Sequence, residues 1–272
     1  MEPEPSGRLR AVILDLAGTV VDYGSCAPAG VFIEVFKRRG VEITIAEARA
    51  PMGAHKREHI AAVAAMPEVA ARWLAAHGAP AADADIDALY ADLIPLQVAC
   101  LPEFSDLIPG AMDAIAAFRG RGLKVATTTG YNREMTDVVL GEMSRQGFEP
   151  DVAICVDDVP AGRPEPWMAL LAAMRLRAYP VSACVKVGDT MPDIAEGLNA
   201  GMWTVAVAAT GNELGLSLAE AAALPAAEFE ARMEIARDRL SAAGAHYVVD
   251  SLADVPAPLD EIEQRLARGE RP

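Results

Sequence analysis

The chain has 272 residues, 52% of them hydrophobic and 23% charged, which allows a sizeable buried core and argues against disorder. Its 24 Lys and Arg against 39 Asp and Glu give a formal net charge of −15 and no basic run. Nucleic acid and anionic membrane are therefore not expected partners, and an anionic substrate would need local cations or a metal. No apolar run reaches the length of a membrane span, and the polar segment 1–10 has no signal-peptide core, so a cytoplasmic protein is expected. Cys26, Cys100, Cys155 and Cys184 fit neither zinc nor disulfide spacing and read as free thiols, buried or partly buried.

In chain order, Ala11–Leu14 is a short apolar strand. Residues 22 to about 105 then read as helices without a strand, far more than a strand-to-helix connection needs. Val31, Phe32, Val35 and Phe36 lie at helical spacing over 28–39, and Gly40 stops that helix. Thr44 and Glu47 have capping-box spacing. Helices follow over Lys56–Ala65, 68–77 and 83–99, the last with Pro95 as an expected kink or break. Beyond 105, helices 110–119, Arg133–Arg145, 166–174 and 192–200 alternate with strands 123–127, 152–156, 184–187 and 204–207. One helical stretch, 217–243, precedes a last strand at Tyr247–Val249. This alternation predicts an α/β fold: a Rossmann-like parallel-sheet core over 1–21 and 106–272, with an inserted α-helical cap domain over 22–105.

Polar groups gather at the predicted strand ends, where parallel α/β sheets bind ligands. The first strand runs into Asp15-Leu16-Ala17-Gly18-Thr19. Asp15 either faces a ligand or caps the following turn; Gly18 permits a tight turn, and Thr19 can face an anion. The second strand ends at Thr129-Gly130, Arg163 precedes a helix start, and Gly188-Asp189 is followed by Asp193. Such hard oxygen ligands suit Mg²⁺.

With these segments in this order, the chain resembles the haloacid dehalogenase superfamily across its whole core. Asp15 with Thr19, then Thr129, then Arg163, then Gly188-Asp189 with Asp193 match its four motifs. The resemblance implies that Asp15 is a nucleophile toward phosphorus and that Mg²⁺ sits between the first and last motifs. One position departs: most phosphatases of the superfamily carry a second Asp, a proton donor, where this chain has Ala17. Alanine transfers no proton. The departure fits either a non-catalytic relative or a leaving group that needs no acid. A carbon leaving group on phosphorus qualifies if a lysine imine takes its electron pair.

The cap segment 49–59 offers Lys56, and at this point the chain is similar to the phosphonatase branch of the superfamily. The matching stretches are D-x-A-G-T-x-x-D-Y-G at 15–24, A-R-x-P-M-G-x-x-K at 48–56, T-T-G-Y-x-R-E-M at 128–135, D-D-V-P-A-G-R-P at 157–164, V-G-D-T at 187–190 and N-A-G-M-W-T-V at 199–205. This resemblance implies hydrolysis of the C–P bond of phosphonoacetaldehyde, with Lys56 forming the imine and Asp15 the aspartyl phosphate. It implies Mg²⁺ on Asp15, the Ala17 carbonyl and Asp189, with Asp193 ordering a water. It also implies Arg163 and Thr129 on the phosphonyl oxygens, and a homodimer formed through the cap.

Neighbouring His55 and Arg57, with partial burial, are expected to lower the pKa of Lys56. His59 shares a helix face with Lys56 and either shuttles protons or packs. Met52 and Tyr131 read as wall residues facing the substrate, Asp22 and Tyr23 as a core-to-cap hinge, and Trp73, Trp167 and Trp203 as core or interface anchors. The competing functions are a phosphatase or mutase acting on a phosphate ester, which needs no Lys56, and a non-catalytic phosphometabolite sensor.

Overall fold

A computed structural model describes residues 8–272; the first seven residues of the polar N-terminal run lie outside them. Six parallel strands form one sheet in the order β3-β2-β1-β4-β5-β6. They are β1 (Ala11–Leu14), β2 (Lys124–Thr129), β3 (Val152–Cys155), β4 (Cys184–Gly188), β5 (Trp203–Val207) and β6 (Tyr247–Val249). The central strand β1 is wholly buried, as its uninterrupted apolar sequence requires of a strand covered on both faces.

Five helices follow β1 within residues 22–105: α1 (Cys26–Arg38), α2 (Ile45–Arg49), α3 (Lys56–Ala65), α4 (Pro67–His77) and α5 (Asp83–Cys100). They pack on Phe32, Phe36, Ile60, Val63, Trp73, Leu89 and Leu93, all buried. The Thr44–Glu47 capping box forms in both directions and starts α2. Pro95 does not break α5. It removes one backbone donor, while Leu89, Leu93 and Gln97 bury both halves of the same helix.

The chain leaves and re-enters the core side by side. Asp22 N donates to Asp106 O at 3.3 Å, and Ile108 N to Val20 O at 2.8 Å. Asp22 and Ser25 have φ of 56° and 50°, and the Asp22 carboxylate accepts from the first free amides of α1, Cys26 N at 2.9 Å and Ala27 N at 3.1 Å.

The remaining helices are α6 (Ala111–Gly120), α7 (Arg133–Arg145), α8 (Trp167–Leu176), α9 (Met191–Asn199), α10 (Leu218–Ala223), α11 (Ala226–Ala242) and α12 (Pro256–Ala267). Two expectations need correction here. The stretch 217–243 is two helices, because Pro225 forces Leu224 into an extended conformation. The C-terminal α12 was not expected; its signals are Pro256 in the first turn and Leu259, Ile262 and Leu266 at helical spacing, which pack on the core. Trp73 and Trp203 are buried anchors, whereas Trp167 is 44% exposed on α8. The four cysteines are free thiols, with Cys155 and Cys184 buried. No described helix is long and apolar enough to cross a membrane.

Candidate active site

The sheet brings the strand-end residues together. Asp15 N donates to Val187 O at 2.9 Å, which continues the β1–β4 ladder and points Asp15 out of the carboxyl edge. The turn after it needs Gly18: φ is 85°, and a Cβ there would lie 2.3 Å from Asp189 Oδ2. Thr190 and Asp193 form the capping box that starts α9, so Asp193 is set by its own helix. Asp15, Asp189 and Asp193 place one carboxylate oxygen each within 4.8 Å of one another.

Two buried cations face these carboxylates. Arg163 Nη1 lies 2.7 Å from Asp15 Oδ1 and 3.1 Å from Asp193 Oδ1, and Nε lies 2.9 Å from Glu196 Oε2. Its Nη2 donates to Thr128 O and Thr128 Oγ1, both at 2.9 Å. Nε and Nη2 of Arg163 thus have hydrogen-bond acceptors in the protein, and Nη1 is ion-paired with two carboxylates. A phosphonyl oxygen at Nη1 would compete with Asp15 and Asp193 for this guanidinium. The second cation is Lys186, whose Nζ lies 2.8 Å from Asp193 Oδ1, 3.4 Å from Glu196 Oε2 and 3.1 Å from Thr128 Oγ1.

Sequence reading missed Lys186, Glu196, Thr128 and Asn212. Lys186 did leave a signal, a lone charge inside the apolar run of β4. Glu196 follows Asp193 by one helical turn. Asn212, whose N–H donates to Asp189 Oδ2 at 2.8 Å, left none.

The charges are out of balance. Asp15, Asp189, Asp193 and Glu196 are buried against Arg163 and Lys186. Burial and the neighbouring Asp193 push Asp15 up to about 6, against Arg163 and Lys186. Burial, with Asp15 and Asp193 beside it, pushes Asp189 well above the carboxylate range. Burial works against Asp193 too, but Arg163 and Lys186 outweigh it and hold that carboxylate ionised. An all-oxygen cluster with two positive charges too few fits a hard divalent cation. The glycines also fit: a Cβ at Gly188 would lie 2.3 Å from Asp193 Cγ, and one at Gly211 2.4 Å from Asp189 Cβ.

Beside the cluster a small cavity of about 30 Å³ lies between core and cap; Asp15, Ala17, Thr129, Tyr131 and Arg163 line it from the core, Met52 and Lys56 from the cap. Lys56 is 4% exposed, with Nζ 5.2 Å from the Tyr131 ring centroid and 5.5 Å from that of Phe32. Burial lowers its pKa to about 8; Asp15 and Asp22 oppose the shift and Arg163 adds to it. The expected origin in His55 and Arg57 is therefore corrected. Arg57 lies on the surface against Asp87 at 2.6 Å, and the cation beside Lys56 comes from the core.

Thr19 and His59 do not line this cavity. The Thr19 hydroxyl donates to Asp189 Oδ1 at 3.4 Å rather than facing an anion. The His59 ring stacks on Phe32 at 3.8 Å between centroids, and Nε2 must be the protonated nitrogen, since it meets Ala48 O at 2.7 Å. Burial, then Lys56, lowers its pKa to about 3, so the ring is neutral. Packing accounts for its placement. Thr129 Oγ1 accepts from Tyr131 N at 3.2 Å, which leaves its own proton for a ligand oxygen.

Arg163→Ala is expected to destabilise the fold by about 3–5 kcal/mol, because Asp15, Asp193 and Glu196 lose a shared cation in a buried site. Arg163→Lys should lose less. Urea unfolding of both variants checks this, and a midpoint unchanged in Arg163→Ala would contradict it.

The sequence profile of the haloacid dehalogenase-like hydrolases matches residues 9–201. A phosphonoacetaldehyde hydrolase of Nitratidesulfovibrio vulgaris is 48% identical over 98% of this chain and 95% of its own length. One from Klebsiella pneumoniae is 48% identical over 97% of this chain and 99% of its own. The crystal structure of a phosphonoacetaldehyde hydrolase-like protein from Oleispira antarctica superposes with a TM-score of 0.96, at 42% identity, over 100% of this chain and 99% of that one. With close to half of its residues shared along nearly the full length of such relatives, the chain belongs to the phosphonoacetaldehyde hydrolase family of the haloacid dehalogenase-like hydrolases.

Proposed function

We propose that this protein hydrolyses the C–P bond of phosphonoacetaldehyde to acetaldehyde and phosphate. The observation that carries the reading is a buried lysine with a lowered pKa in the same cavity as the strand-end nucleophile Asp15. The neutral Lys56 amine adds to the aldehyde and loses water, giving a protonated imine. Asp15 then attacks phosphorus. The C–P electron pair moves into the imine, leaving an enamine on Lys56 and an aspartyl phosphate on Asp15. Protonation of the enamine carbon and addition of water release acetaldehyde and restore the amine. A second water releases phosphate and restores the carboxylate. A carbon leaving group whose electrons enter an imine needs no acid at the Ala17 position, which fits the alanine there.

Asp15, Asp189 and the Ala17 carbonyl are the proposed ligands of Mg²⁺, and Asp193, already held by Lys186 and Arg163, would act through a water. When bound, the ion supplies positive charge between the carboxylates and the dianionic phosphonyl group. The Thr129 hydroxyl and Arg163, once Asp15 is drawn away from Nη1, orient the phosphonyl oxygens. Met52 and Tyr131 wall the imine from water.

The direct test measures phosphate and acetaldehyde released from phosphonoacetaldehyde, beside a panel of phosphate esters. Equimolar products, lost in EDTA and restored by Mg²⁺, are expected. Turnover of an ester without acetaldehyde formation would replace this reading by the phosphatase alternative.

A further inference from the structure

Arg49, the last residue of α2, reaches from the cap into the core. Its Nη1 donates to Gly24 O at 2.8 Å and to Asn212 Oδ1 at 3.2 Å, and Nη2 lies 3.7 Å from Cys26 Sγ. Asn212 Nδ2 returns a long contact to Arg49 O at 3.5 Å. Asn212 belongs to the segment after β5, and its backbone N–H is the one that holds Asp189 Oδ2 at 2.8 Å. This segment is moulded to both neighbours. A Cβ at Gly215 would lie 3.0–3.1 Å from three atoms of the Arg49 guanidinium, and one at Gly211 would lie 2.4 Å from Asp189 Cβ. Arg49 is also in the same short stretch of cap as Lys56.

We infer that Arg49 is a positioning residue of the metal site. It clamps the 211–215 segment through Asn212, and that segment orients Asp189. Seating the cap therefore places Lys56 in the cavity and sets the Asp189 carboxylate in one motion. A cap displaced from the core releases both. The inference rests on the proposed role of Asp189 as a Mg²⁺ ligand, where partners one shell out carry tenfold or larger effects on metal affinity.

The test titrates Mg²⁺ calorimetrically into the substrate-free protein. Arg49→Ala and Asn212→Ala are each expected to weaken Mg²⁺ binding about tenfold. The double variant should be no more than about twofold weaker than the poorer single one, because both act along one path. Arg49→Lys should recover part of the loss, and Arg57→Ala, a surface change on the same cap, should recover wild-type affinity. The comparison is made on variants with native circular dichroism; Asn212→Ala and Arg49→Lys preserve it if Arg49→Ala does not fold. A purely structural role would lower the melting temperature and leave the affinity of the folded protein unmoved, which would overturn the inference. Additive losses in the double variant would overturn it as well. Wild-type protein that binds no Mg²⁺ would instead remove the metal reading, and this inference with it.

Discussion

Asp15→Ala is expected to abolish turnover, with a loss of roughly four decades or more in kcat, as for other covalent nucleophiles. No other carboxylate can take its place. Asp189 is held by Asn212 N and Thr19 Oγ1, and Asp193 by Lys186, Arg163 and Thr190. The fold should survive, since Arg163 keeps Asp193 and Glu196. Stability adds a second readout. The folded pKa of Asp15, about 6, lies above the ordinary 3.8, so the ionised form is disfavoured by folding. The unfolded chain binds fewer protons than the folded one between those values, and stability from this group is present at low pH and lost as pH rises through about 6. In metal-free protein at pH 7, Asp15→Asn should therefore melt no earlier than the parent. That advantage should shrink as the pH falls from 7 to 4. Appreciable turnover by folded Asp15→Ala would end the assignment of the nucleophile.

Lys56→Arg is expected to lose C–P cleavage completely while retaining Mg²⁺ and phosphate binding, because a guanidinium keeps the charge and cannot form this imine. A lysine with a pKa of about 8 is roughly a tenth neutral at pH 7, against well under 0.1% for an ordinary lysine. Imine formation should climb with pH and level off above about 8. A climb continuing toward 10.5 would mean that burial does not tune this amine. Borohydride added with substrate or acetaldehyde should leave a reduced two-carbon adduct on Lys56, located by peptide mass mapping. An adduct on another lysine, or normal turnover by Lys56→Arg, returns the case to phosphate-ester chemistry. Lys56→Met tests the physical origin of the shift. Its side chain sits beside Phe32 and Tyr131, so a neutral replacement should stabilise the fold. The gain should be present below about pH 8 and fade as the pH rises from 8 toward 10.5, where the unfolded lysine also loses its proton.

Several features of this protein were legible in its sequence because their causes are local. The six strands announce themselves as apolar runs. The Thr44–Glu47 capping box needs only three residues of separation, and it forms. The order of the strand-end motifs and the alanine at position 17 carry the family, and the cap shows as a long helical interval between the first two strands. Tertiary structure decided what depends on residues distant in sequence. The pKa of Lys56 is lowered by burial and by Arg163 across the cavity, not by the adjacent His55 and Arg57. Thr19 turns to Asp189, 170 positions away, instead of toward a ligand. Lys186 joins the site because β4 lies beside β1 and next but one to β2, which sets its ammonium against Thr128 as well as Asp193. Arg49 and Asn212, 163 positions apart, meet only where the cap is seated on the core. Helical periodicity and turn chemistry act over three or four residues, whereas ionisation and hydrogen bonding respond to whatever the fold brings within a few ångströms.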